Sequence, residues 1–392
     1  MNTGKPVQKP ETSTLAAFKD TADFLSHWSE NCSALLFSDE ALSRQVNLFK
    51  NAFPGSTTYA VKANPDAPIL RALYRQGITE YDAASLGEIA LLRTLLPSAI
   101  INFNNPIRTT SDLTAAYHDY SVRSFVVDDT AGLNQLLALN ATDIEVSVRL
   151  KLAHESAAYN FGSKFGAGEE AAPGLLKAAY DTGYSHISMA FHPGSQCSSV
   201  EVYEKYIDAC ARSASAAGIR LARLNVGGGF PVAYQGMAIP ALEEFFSAIG
   251  ERVENNFGSS GPSLLCEPGR SIAAPSCSLV CRVTHVREDG PVFLGDGVYG
   301  SLQEQFLMDA QLPTKIWRGS KRLSPDGPER DLFGPTCDPS DKLSSRYQLR
   351  EDIAVGDCVE FGLMGAYSTA TATRFNGIEP AQYALVQNGF AD

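Results

Sequence analysis

Between about residues 57 and 267, apolar runs of strand character alternate with amphipathic runs of helix character, and this alternation limits the possible folds most. The apolar runs lie at 57–63, 78–82, 99–103, 122–127, 144–150, 186–191, 221–226 and 263–266. One helical run covers 200–218, with Val200, Tyr203, Ile207, Cys210 and Ala214 on one face and Gly218 at its end. Another covers 86–96, and a further helix at 40–53 precedes the first strand. Eight strands with connections too long for hairpins predict a (β/α)8 barrel or a doubly wound open sheet, which periodicity alone does not separate. The placement of the unusual residues decides. Lys62, Asp82, Arg149, His192, the glycines 227–229 and the segment 267–270 fall at or just past the C-terminal ends of strands one, two, five, six, seven and eight. A closed barrel gathers those ends at one mouth, whereas an open sheet strings them along an edge. The expected fold is α/β, a (β/α)8 barrel of the TIM type over residues 33–273.

Beyond Arg270 the pattern changes. Short strand-like runs at 277–286, 292–294, 316–317 and 357–361 follow without long helices, which predicts a β-rich domain over 274–392. Residues 318–330, with Ser324-Pro325-Asp326-Gly327-Pro328, read as a polar loop. Residues 1–32 are expected to pack against the β-rich domain after a disordered start, and positions 1–14 lack the apolar core of a secretion signal. A net charge of -12 argues against nonspecific binding to nucleic acid or anionic membrane and is compatible with a small cationic substrate. No run reaches the length of a membrane-spanning helix. The eight cysteines show no Cys-x-x-Cys spacing and no histidine-rich partner segment, so no metal site is expected, and reduced thiols in the cytoplasm are. Cys277 and Cys281, four apart in a strand-like run, share a face as core residues.

Six motifs carry chemistry. In Tyr59-Ala60-Val61-Lys62-Ala63-Asn64-Pro65, an ammonium at the end of a buried strand must be paired or used as an amine, and an amine forms an imine with an aldehyde. Gly227-Gly228-Gly229-Phe230 lets backbone N–H groups approach an anion, although a tight turn also explains it. In Glu267-Pro268-Gly269-Arg270 a second glycine and a guanidinium close on the same point. Glu267 itself reads either as the ion-pair partner of Arg270 or as an acid that keeps a pyridine nitrogen protonated. His192-Pro193-Gly194-Ser195 offers an imidazole to stack on a flat ring and a hydroxyl for a phosphate, against the plainer reading of a packed histidine. Gly334-Pro335-Thr336-Cys337-Asp338 is either an inert turn or a thiol that delivers a proton beside a carboxylate that holds an ammonium. Gly365-Ala366-Tyr367 completes the set. Together the motifs read as a pyridoxal 5'-phosphate (PLP) site.

In this order, over residues 33 to 380, the motifs resemble the fold-type-III PLP-dependent decarboxylases of basic amino acids, most of all the ornithine decarboxylases. The resemblance implies Lys62 as the Schiff-base lysine, His192 stacked on the ring, and Glu267 at the ring nitrogen. It implies Ser195, Gly229, Gly269, Arg270 and Tyr367 around the phosphate, with Pro268, Asp82 and Arg149 completing the cofactor site. It further implies a homodimer with sites at the interface, where Cys337 as proton donor and Asp338 as substrate ligand serve the partner subunit. Ornithine decarboxylases usually place a second aspartate after a Gly-Val-Tyr-Gly-Ser segment; here residues 297–301 are followed by Glu304 and Asp309 as candidates. Asp rather than Glu after Cys337 suits a plain terminal ammonium, so the implied reaction is decarboxylation of L-ornithine to putrescine in polyamine biosynthesis. A decarboxylase of lysine, diaminopimelate or a related diamine precursor, and a catalytically inactive binding homologue, are the alternatives. An alanine-racemase-like reaction fits the Cys-Asp turn less well.

Overall fold

The computed structural model describes residues 17–29, 33–152, 164–308 and 311–391. One parallel sheet runs in the order Ser56–Thr57, Ser263–Cys266, Arg223–Asn225, His186–Phe191, Glu145–Leu150, Ser124–Val127, Ile100–Phe103, Glu80–Ala83, Tyr59–Ala60. Its two ends are halves of one strand interrupted at Thr58, so the sheet meets itself and the barrel closes on eight strands. The seam is bonded across by Thr58 N–H to the Cys266 carbonyl at 2.9 Å and Ala60 N–H to the Pro268 carbonyl at 3.2 Å. Closure excludes the open sheet. The strands are apolar along much of their length because helices cover the outer face of a parallel sheet while side chains fill the inside. Tyr81, Phe103, Phe125, Val127, Val148 and Leu224 are all buried.

The helices begin where the sequence supplies acceptors for unpaired N–H groups. Ser38 caps Asp39–Ala52, Ser85 caps Leu86–Leu95, and Asp129 caps Thr130–Leu137, each side chain accepting from the N–H three residues on. The long helix Val200–Ala217 ends at Gly218, whose φ of 68° is the left-handed conformation of a helix stop. Its buried face carries Tyr203, Ile207, Cys210 and Ala214, as the periodicity predicts, with Val200 partly buried at its start.

The second sheet runs Ala17–Phe18, Gln382–Val386, Ala34–Phe37, Cys277–Val286, Cys358–Phe361, Thr314–Arg318, Lys321–Leu323, with Val292–Leu294 and Leu332–Phe333 branching from it. Two expectations need correction here. Ala34–Phe37, counted with the barrel in the sequence reading, pairs with Cys277–Val286 and Gln382–Val386 in this sheet. The stretch 318–330, expected as a polar loop, is ordered by pairing: Thr314–Arg318 and Lys321–Leu323 form a hairpin, and Glu329–Arg330 pairs with Tyr347–Gln348. Arg318 anchors the hairpin through a forked pair with Asp357 at 2.8 and 2.9 Å. Residues 1–16 lie outside the described residues, whereas Ala17–Phe18 joins the sheet edge beside Gln382–Val386. Cys277 and Cys281 are buried in the core, and no helix among the described residues is long and apolar enough to cross a membrane.

Candidate active site

The first barrel strand does not run on to Lys62. After Tyr59–Ala60 the chain tightens into the 3-10 turn Val61–Ala63, which turns the Lys62 side chain into the barrel mouth. Protein surrounds Lys62 there, yet its side chain remains exposed to the cleft. Ala60, Lys62, His192, Ser195, Gly229, Phe230, Glu267, Gly269, Arg270, Ser271 and Tyr367 line one cleft at the barrel mouth. Seven residues expected from strand ends and loops, Lys62, His192, Ser195, Gly229, Glu267, Gly269 and Arg270, therefore converge on one space with Tyr367, which comes from the β-rich part of the chain.

Glycine geometry shapes the cleft. Gly229 has φ +85°, and a Cβ on it would fall 2.2 Å from the Gly194 carbonyl oxygen, so the loops after strands six and seven touch through backbone alone. Gly269 packs on the first strand, where a Cβ would come within 2.8 Å of Ala63 Cβ. The next residue, Phe230, fixes the loop from below, stacking on Tyr203 at 5.2 Å and meeting Phe49 and Phe246 edge-on. The Tyr203 hydroxyl donates to the Gly228 carbonyl at 2.8 Å. The hydroxyl of buried Ser271, on the cleft wall, has no partner among the described residues. Backbone that approaches closely, two serine hydroxyls and a guanidinium fit a phosphoryl group.

Charge in the mouth is arranged in opposed pairs. Burial pushes the Lys62 amine down, but Tyr367, Asp82 and Glu267 outweigh it, and the net effect raises its pKa. Burial, with Lys62 and Arg149 nearby, drives His192 well below the usual imidazole range. A neutral ring agrees with its geometry, since His192 Nδ1 accepts the Gly194 N–H at 3.0 Å. Burial and the Asp82 carboxylate, which is hydrogen-bonded to it, hold Glu267 well above the carboxylate range, and Asn104 donates to Glu267 Oε2 at 3.3 Å. Arg149 lies with its guanidinium over the Phe165 ring at 5.1 Å, its pKa lowered by burial against the pull of Glu267 and Asp82.

The plain reading of Glu267 as partner of Arg270 is corrected by these contacts. Arg270 forms its ion pair with Glu304 instead, including an Nη2 to Oε1 bond of 2.9 Å. It also reaches the Tyr234 hydroxyl at 3.0 Å and Ser195 Oγ at 3.4 Å, and its guanidinium lies 4.9 Å from the centre of the Tyr367 ring. Asn104 and Tyr234 were not among the expected residues. Asn104 directly follows the third strand, so the same strand-end rule applied there finds it. Pro268, between Glu267 and Gly269, supplies the carbonyl that bonds Ala60 across the seam.

Cys337 and Asp338 stand apart from this cleft. The Cys337 N–H donates to Asn376 Oδ1 at 3.1 Å, and its thiol is exposed. Asp338 Oδ1 accepts the Ser340 N–H at 2.8 Å, and that contact together with the Tyr299 hydroxyl lowers its pKa. None of these partners lines the Lys62 cleft. Asp309 lies outside the described residues. Among the described residues there is no group of three or more His, Cys, Asp or Glu able to hold a metal ion.

Comparison with known proteins returns decarboxylases of basic amino acids and, at 29% identity, an antizyme inhibitor 2 of Xenopus laevis. The family model described as pyridoxal-dependent decarboxylase, pyridoxal binding domain, matches residues 39–274. A lysine/ornithine decarboxylase of Selenomonas ruminantium is 33% identical over 328 residues, covering 81% of this chain and 80% of that protein. An ornithine decarboxylase of Neurospora crassa is 30% identical over 366 residues, covering 81% of this chain and 73% of that one. The solved structure of lysine/ornithine decarboxylase from Vibrio vulnificus complexed with cadaverine superposes with a TM-score of 0.79 at 29% identity, covering 91% of this chain and 95% of that chain.

Proposed function

The chain belongs to the pyridoxal-dependent decarboxylases, and from that premise we propose that it converts L-ornithine to putrescine and CO2, as a step of polyamine biosynthesis. The observation that carries the choice of substrate is Asp338: a carboxylate with a lowered pKa whose contacts are neutral, a backbone N–H and a phenol, and whose neighbour is an exposed thiol. A carboxylate so placed keeps its charge for the terminal ammonium of a short diamino acid.

PLP, when bound, supplies the electron sink for the bond that loses CO2. The protein's own residues supply the rest. Lys62 presents the amine that would attach the cofactor, and His192, neutral and flat, would cover its ring. Glu267, on the cleft wall, would face the ring nitrogen and as a carboxylate would keep it protonated. Ser195, Gly229, Gly269, Ser271, Arg270 and Tyr367, which line the same cleft, would hold the phosphate. Cys337 of one subunit would return a proton to Cα in the site of the other, and Asp338 beside it would hold the substrate's distal end. This assignment makes the protein a homodimer with shared sites. A cytoplasmic location agrees with seven described cysteines that form no disulfide.

The test is CO2 release by the purified protein from ornithine, lysine, arginine and diaminopimelate, measured side by side. Ornithine should give the highest kcat/KM. A higher value with lysine or diaminopimelate would move the assignment to that substrate, and release from none would leave the inactive binding homologue.

A further inference from the structure

Arg270 is enclosed on every side, and the group that takes most of it is an acid. Its side chain is only 5% exposed, and that of Glu304 only 19%. A guanidinium offers two forks for an anion, one across Nη1 and Nη2 and one across Nε and Nη2. Glu304 occupies the first with both carboxylate oxygens. The second faces Ser195 Oγ, at 3.4 Å from both Nε and Nη2, on the side of the cleft that Gly229 and Gly269 line. Glu304 is not loosely held. It lies on the short helix Gln303–Leu307, which the Tyr347 hydroxyl braces through Gln305 Oε1 at 3.2 Å. A phosphate entering from the Ser195 side therefore meets a cation whose charge is already matched, with a second anion fixed on the adjacent edge.

We propose that Glu304 is a built-in competitor for Arg270 that weakens the cleft's hold on the cofactor phosphate. It is not the acid that receives the substrate's distal ammonium. The proposal rests on PLP being seated with its phosphate between Ser195, the two glycines and Arg270. Two anions on adjacent edges of one guanidinium, sharing Nη2, repel strongly where little water screens them. Glu304→Gln removes the repulsion but keeps the side chain's shape and one acceptor for Arg270, so loss of charge outweighs loss of orientation. Glu304→Asp keeps the charge and serves as the control.

The experiment strips the cofactor and titrates wild type, E304Q and E304D with PLP, pyridoxal and inorganic phosphate, followed by absorbance and thermal shift. E304Q should bind PLP and inorganic phosphate about tenfold tighter or more, by the loss of one close like-charge contact. Pyridoxal, which lacks the phosphate, should bind all three forms alike, and E304D should stay near wild type. If E304Q does not fold, E304A should move the affinities in the same direction. Weaker PLP binding by E304Q would show that Glu304 only orients Arg270. Unchanged PLP binding with a raised KM for ornithine would make Glu304 the substrate's acid, and either result overturns the proposal. Failure of wild type to form a borohydride-stable PLP adduct at Lys62 would instead overturn the premise on which it rests.

Discussion

Lys62 is raised in pKa where its chemistry needs a neutral amine. Burial alone would release the proton, but Tyr367, Asp82 and Glu267 together favour the ammonium. The acids thus set the pH at which the amine becomes nucleophilic, and removing one should lower it. Asp82→Asn should shift the pH midpoint for attachment of added PLP downward by roughly one unit, read by stopped-flow absorbance. A midpoint that stays or rises would mean that Asp82 acts on Glu267 alone. Substrate capture is a separate matter. Loss of a charge-assisted contact costs about 1.5–3 kcal/mol, so Asp338→Asn should lower kcat/KM for ornithine roughly ten- to a hundredfold. The bound-cofactor spectrum should not change, because the contacts of Asp338 lie away from the Lys62 cleft. Wild-type kinetics in that variant would remove the main support for ornithine.

The helix Leu86–Leu95 begins with a residue that links its stability to pH. Glu88 accepts the Ala84 N–H at 2.7 Å in the first turn, yet burial, with Asp82 nearby, raises its pKa from 4.5 to about 7. A carboxyl raised in the folded state binds its proton there while the unfolded chain has released it. Stability attributable to Glu88 is therefore complete below about pH 4.5 and is lost as pH rises toward about 7. Glu88→Gln, which keeps an acceptor for Ala84, should remove this loss, worth about 2 kcal/mol, when urea midpoints are compared at pH 5 and 7.5. Parallel pH profiles would show that Glu88 is solvated well enough to ionise at no cost. The sequence made some elements of this kind legible and hid others. Val200–Ala217 is set by a 3.6-residue apolar stripe and a glycine stop, and both are local signals. The break of the first strand at Thr58 is not, because Thr57 to Ala63 has the same apolar character whether it runs as strand or tightens into the turn that aims Lys62. Nothing local in the sequence sets Ala34–Phe37 apart from the barrel, and only pairing with residues more than two hundred positions away places it in the second sheet. The placement of Lys62, Asp82, Arg149, His192 and Glu267 at one mouth was legible because each lies at or just past the end of a barrel strand. The pairing of Arg270 with Glu304 was hidden because it depends on where a later helix lands.

The shape of the molecule divides the chemistry between two places. Lys62, His192, Glu267 and Arg270 meet in one cleft at the barrel mouth, and Tyr367 reaches it from the same chain, its N–H donating to the Ala63 carbonyl at 2.6 Å. Cys337 and Asp338 belong to another locality, tied by Asn376, Ser340 and Tyr299. Close to them, Tyr299 and Phe375 pack at 4.7 Å between ring centres, and Phe375 is among the exposed large hydrophobics, a composition suited to the core of a subunit contact. In a two-fold dimer the same patch meets its counterpart, so a turn distant from its own cleft can close the cleft of the other subunit. Complementation tests this directly. Lys62→Ala and Cys337→Ala should each be inactive alone. Mixed in equal amounts and allowed to exchange, they form hybrids in which one site carries both lesions and the other carries neither. Random pairing makes half of the dimers hybrid, each with one intact site of two, so activity should recover to about a quarter of wild type. Phe375→Asp, which places a charge on the patch proposed as the contact, should shift the protein toward monomer in sedimentation and abolish that recovery. No recovery in a mixture whose exchange is demonstrated by mass would place Cys337 in the site of its own chain. The exposed turn would then have to travel to the cleft within one subunit.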